Sequence, residues 1–160
     1  MGDLTAEDVR LIKQMWTVPS SNLYDVGDVM LYKFFEKYPN YKQMFPKFRN
    51  TPLNQLKGQH EFRCHAYQIM IQFTTSINLL GEPGGLEKIR DLWRAHGELH
   101  ANLDVTKAQF NEVRDVIITV LLEMCNLSEV EEIRVAWNKL FDVVYNFSFE
   151  TMYNDVRSVI

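Results

Sequence analysis

The residues able to do chemistry are concentrated in one stretch of the chain. All four histidines, His60, His65, His96 and His100, fall between positions 60 and 100. His96 and His100 stand four apart, which on a helix puts both imidazoles on one face and raises the question of zinc. A zinc-hydrolase helix needs His-Glu-x-x-His, and here the acid is one position late, at Glu98. A rotation of about 200° from His96 swings Glu98 to the opposite side. Cys64 and His65 are adjacent, so on a helix their side chains diverge by about 100° and make a poor nucleophile–base pair. Cys64 reads as a small packed thiol. Gly81 to Gly85 lacks the Lys-Ser or Lys-Thr of a phosphate loop, and there is no Gly-x-Ser-x-Gly elbow.

The elements that must position these histidines are helical. Thr5 with Asp8 resembles a capping box, after which Val9, Ile12 and Trp16 mark one face and Pro19 ends the helix. A second helix carries Val26, Met30, Phe34 and Phe35 and stops before Pro39, followed by an irregular aromatic stretch from Tyr41 to Phe48. A long helix, with room for a break, begins after Thr51-Pro52 and presents Phe62, Ile69, Met70, Phe73, Ile77 and Leu80. His65 lies on that apolar face. After the breaker at 81–85, Leu86, Ile89, Leu92 and Leu99 mark the helix that carries His96 and His100, and a loop spans Ala101 to Asp104. Phe110, Val113, Ile117, Leu121 and Met124 form another face. Ile133, Trp137, Leu140, Val144 and Met152 form the last. No run alternates at period two. The chain reads as a single all-α domain over 1–160 with about six to eight helices.

Composition sets the outer bounds. The chain has 160 residues, 46% hydrophobic and 12% aromatic, with a formal net charge of −4. That amount of apolar sequence fills one core. A mildly acidic chain with no basic run argues against nucleic acid or an anionic membrane as partner. No apolar run approaches the roughly 20 residues of a membrane span. No signal peptide is visible, and Ala6 spoils a myristoylation motif. Two cysteines, Cys64 and Cys125, do not suggest a disulfide framework, so a reducing cytoplasm is expected and the sequons at Asn126 and Asn146 read as chance matches.

His65 and His100 therefore occupy two apolar helices separated by a break. Two imidazoles across an apolar slot suit a flat, hydrophobic, metal-centred ligand, and haem fits that description. A buried His–His contact or simple packing would produce the same pattern.

The order of residues resembles the globin family from about Val9 to Met152. Trp16 stands where globins carry the Trp of their first helix, and Gly27 resembles the Gly that lets the second helix cross the distal helix. Pro39 and the string Met44-Phe45-Pro46-Lys47-Phe48 match the third helix and the corner after it. His65 follows Phe45 by 20 residues, as a distal His should, with the small Ala66 next to it. The segments Val9–Trp16 and Phe62–Ala66 are most similar to cytoplasmic insect haemoglobins.

That resemblance implies a globin fold around haem b. Phe45 would stack on the haem face, with Phe48 packed beside the corner. Ile69 would crowd the sixth coordination position, Leu31 would back the distal pocket, and Val105 and Phe110 would touch the haem. His100, with Val105 five and Phe110 ten residues on, matches the proximal iron ligand. His96, with Ile89 and Leu92 seven and four residues before it, fits a rival register one turn up. If His100 is the ligand, His96 would reach a haem propionate or solvent, or compete for iron. His60 would sit near the rim or in solvent.

His65 would hydrogen-bond bound O2 or serve as the sixth iron ligand, giving bis-histidyl iron in the unliganded state. The implied function is reversible binding of O2 and other diatomic gases by an intracellular carrier or store, monomeric or homodimeric. The alternative is a haem-based redox enzyme or sensor such as a nitric oxide dioxygenase.

Overall fold

The computed structural model describes residues 4–125 and 130–153. Among them are six α-helices and two short 3-10 segments, with no strand. The α-helices are α1 (Ala6–Ser20), α2 (Leu23–Lys37), α3 (His60–Leu79), α4 (Gly85–His100), α5 (Lys107–Met124) and α6 (Val130–Met152). The all-α expectation holds. The sequon at Asn126 lies outside the described residues, and that at Asn146 falls within α6.

α1 starts at the anticipated capping box. The Thr5 backbone N–H donates to Asp8 Oδ2 at 2.8 Å, and the Asp8 N–H donates to Thr5 Oγ1 at 3.1 Å. Asp8 then takes Lys139 of α6 at 2.8 Å, so one carboxylate caps α1 and ties it to the C-terminal helix. Pro19 does not end the helix as expected. It sits within the last turn, and the helix continues to Ser20. A proline at 19 cannot donate to the Met15 carbonyl, which is the usual cost of proline in a helix. Here the buried Cys125 thiol lies 3.6 Å from that carbonyl and donates in its place.

α2 ends before Pro39 as expected, but part of the supposed irregular stretch is ordered as a 3-10 helix, Pro39–Met44. The break anticipated in the long helix is real. A 3-10 turn, Leu53–Gln55, precedes α3, which starts only at His60. α2 crosses α3 at Gly27, where a Cβ would lie 2.9 Å from Met70 Cγ and 3.0 Å from the Ala66 carbonyl oxygen. Any side chain there would push α3, and with it His65, away from α2.

α4 faces the core differently from the leucine pattern. Ile89 is buried and Leu92 half-buried as expected, but Leu86 is 58% exposed and Leu99 77% exposed, and Trp93 and Gly97, at four-residue steps from Ile89, are buried in their place. Trp93 drives this rotation. Its ring packs at 5.3 Å on Phe73, and its indole N–H donates to Ser76 Oγ at 2.8 Å, which satisfies the one polar atom of a buried indole. At Gly97 a Cβ would lie 2.0 Å from the Ser148 carbonyl oxygen, so α4 and α6 meet backbone to backbone. Arg90 and Arg94 both reach Glu150 on α6, at 3.0 and 2.6 Å.

α5 opens with a second capping box, Thr106 with Gln109, that the sequence reading passed over. Its burial is also wider than one stripe, taking in Val116, Ile118 and Val120, while Met124 at its end is 38% exposed. α6 buries every anticipated residue, and Trp16, Phe73, Trp137 and Phe141 form an aromatic centre beneath the site.

Candidate functional site

α3 and α4 form two walls of a cavity of about 960 Å³, completed by the corner after the first 3-10 helix and by α5. His65 and Ile69 line it from α3, and His96 and His100 from α4. Phe45 closes the corner, Val105 and Phe110 come from the entry and first turn of α5, and Leu31 stands behind on α2. The structure thus brings together every residue picked as a cofactor contact.

His65 is held by Phe45, whose ring meets the imidazole edge-on at 5.1 Å and 76°. Burial first, and then the charge His100 would carry, push the His65 pKa down to about 4. The ring is neutral at ordinary pH, with one nitrogen that donates and one that accepts.

His100 has its tautomer set by the backbone. Its Nδ1 lies 2.8 Å from the carbonyl oxygen of His96, one turn back. A carbonyl can only accept, so Nδ1 carries a proton and Nε2 is the nitrogen turned to a metal. A neutral imidazole with one N–H fixed on an acceptor and the other nitrogen bare is the usual state of a metal-ligating histidine.

His96 does not reach out toward solvent. Its ring packs among Trp93, His100 and Phe110, with centroids at 5.1, 4.1 and 5.8 Å, and its Nδ1 lies 2.8 Å from Ser148 Oγ on α6. Burial, followed by the neighbouring His100 and His65, pushes its pKa down to about 3. Gly97 and Ser148, which set this arrangement, escaped the sequence reading. Neither has a hydrophobic or titratable signature, and they are far apart in the chain.

His60 is exposed, as anticipated. Cys64 is not the packed thiol expected. It is exposed, with its sulfur 3.6 Å from His60 Nε2, since a residue four back shares its helix face while His65 turns inward. Among the described residues no group of three His, Cys, Asp or Glu side chains could hold a metal ion, so the zinc pattern at 96–100 has no completed ligand set. No described helix is long and apolar enough to cross a membrane.

The cavity has the donors haem requires: a bare imidazole nitrogen on one wall, a neutral imidazole on the other, and an apolar slot between them. The globin family pattern matches residues 29–148. The chain belongs to the globin family. A globin from Chironomus thummi piger, CTT-Z, is 31% identical over 147 residues, covering 92% of this chain and 86% of that one. A hexa-coordinate haemoglobin of Drosophila melanogaster superposes with a TM-score of 0.84 at 36% identity, covering 91% of this globin and 93% of the fly protein. The haemoglobin of the botfly Gasterophilus intestinalis superposes with the same TM-score at 30% identity, over 92% and 98%. This globin is thus a haem protein by family and similar to insect haemoglobins, and the family implies diatomic gases as ligands.

Proposed function

We propose that this globin binds haem b between His100 as proximal iron ligand and His65 on the distal side, and that it carries or stores O2 inside cells. The whole chain, 1–160, then acts as one globin domain. The observation that carries this reading is the pairing of His65 and His100 on two walls of one apolar cavity, with His100 Nδ1 committed to the His96 carbonyl.

When bound, haem would supply an iron atom able to take imidazole nitrogens and a diatomic gas. His100 offers its Nε2 lone pair on one side, and the His96 carbonyl keeps that nitrogen bare and the ring oriented. From the facing wall His65 would offer an N–H to a diatomic ligand that carries partial negative charge. A bond of that kind is worth about 1.5–3 kcal/mol, roughly one to two decades of affinity. Phe45, Ile69, Val105 and Phe110 line the slot and would keep water from it, protecting ferrous haem from oxidation.

His65 would also hold the iron when no gas is bound. The neutral ring favours this, and so does the likeness to the hexa-coordinate Drosophila protein. An exogenous ligand then competes with His65, and its apparent affinity falls by the fraction of open pocket. The ferrous absorption spectrum tests the reading. Sharp, split visible bands that collapse to one broad band in His65→Leu support it. Altered ligation in His96→Leu overturns the assignment of His100. Fast, reductase-supported turnover of nitric oxide overturns the carrier role in favour of an enzyme.

A further inference from the structure

His96 has no part in the haem reading above beyond lending its carbonyl, yet its side chain is built as a ligand is built. Each imidazole of α4 has a partner 2.8 Å from Nδ1: for His100 a backbone carbonyl, which can only accept, and for His96 the Ser148 hydroxyl, which leaves Nε2 its lone pair when it accepts from Nδ1–H. Ser148 is fully buried, and the backbone contact at Gly97 leaves no room for α4 to slide on α6, so the second pair is held as firmly as the first. The rings of Trp93 and Phe110 flank His96, and Nε2 is the nitrogen left to a residue that lines the same cavity as His65.

We propose that His96 is a second axial imidazole, giving this globin two proximal registers one helical turn, about 5.4 Å, apart along α4. His100 holds the iron in the first register. In the second, His96 would hold it, with the Ser148 hydroxyl accepting from Nδ1–H as the His96 carbonyl accepts from His100. The inference rests on the haem reading and extends it.

The test uses five full-length proteins: wild type, His96→Leu, His100→Ala, the volume-keeping His100→Gln, and the double variant His96→Leu/His100→Ala. Each is measured for haem per chain, ferric and ferrous absorption, and the iron–imidazole stretching band on a His65→Leu background. The expected result is that both His100 single variants retain haem with an imidazole–iron band, which the double variant loses. Ser148→Ala added to His100→Ala should weaken haem retention about 10- to 100-fold, as loss of an orienting partner does. Added imidazole should restore the double variant's spectrum, showing that its pocket is intact. If the His100 variants match the double variant, or show imidazole ligation only with added imidazole, the second register is overturned and the His100 assignment stands. If His96→Leu alone loses the wild-type spectrum, the His100 assignment fails instead, and the two-register account with it.

Discussion

The His100 Nδ1 and the His96 carbonyl oxygen, 2.8 Å apart, couple the two histidines of α4 through the backbone, beside the contact of their rings at 4.1 Å. Residue 96 can therefore be changed without removing the group that orients His100. His96→Leu should keep haem and leave the wild-type visible spectrum in place, because the carbonyl survives the substitution. Haem-to-chain stoichiometry and the visible spectrum check this.

His65→Leu should speed O2 release by roughly 10- to 100-fold, the kinetic equivalent of losing one hydrogen bond to a polarised ligand. The same variant should bind CO faster than wild type, because no side chain has to vacate the sixth position. Stopped-flow mixing of the ferrous protein with CO, and O2 displacement by CO, give both rates.

Gly97→Ala should be among the most damaging small substitutions in the chain. Its Cβ would fall 2.0 Å from the Ser148 carbonyl and 2.3 Å from Thr151 Oγ1, both held in place by helix packing. Forcing α4 off α6 should cost at least the usual 1–3 kcal/mol (roughly) of overpacking. It should also displace His96 from Ser148. Chemical denaturation of the apo-protein measures the first effect. Gly58→Ala, with open space around it but φ at +84°, measures backbone strain without overpacking and separates the two costs.

The Asp8–Lys139 pair makes stability depend on pH at the acid end. Burial pushes the Asp8 carboxyl up, but the hydrogen bonds from Lys139 and Thr5 outweigh it and leave it below its ordinary value. A carboxyl depressed in the folded state stabilises fully above its unfolded value, near pH ~4. That contribution is lost as pH falls through the lower folded value. Asp8→Asn should cost roughly 1–2 kcal/mol at neutral pH. It should also flatten the fall in melting temperature below about pH 4. Thermal melts of the two proteins across pH 2–7 (roughly) show whether the curves converge in acid as this linkage requires.

How far the site was legible in the sequence depended on whether a residue acts locally. His65, Phe45 and His100 could be picked out because their spacing matches a family pattern and each sits on a helix of clear period. Gly27 and Ala66 were readable as a pair for the same reason, and the Cβ distances at Gly27 agree. The face of α4 was misread because leucines were counted and Trp93 was not. One buried indole with a serine partner outweighs two exposed leucines. Pro19 was misread because the compensating donor, Cys125, lies far along the chain. Cys64 was misread because burial had been assigned by residue type, and its helix face turns outward toward His60. The Ser148 contact of His96 had no local signal, since two helices must dock before the serine means anything.

The central claim, reversible gas binding on haem held between His65 and His100, is tested most directly by one cycle of absorption spectra. The purified protein is reduced, exposed to O2, and then deoxygenated. The account predicts a Soret band in the purified protein, a distinct O2-form spectrum, and return to the starting ferrous spectrum through shared isosbestic points. A chain without a Soret band, or one that O2 converts directly to a ferric spectrum with no recovery on deoxygenation, would contradict it.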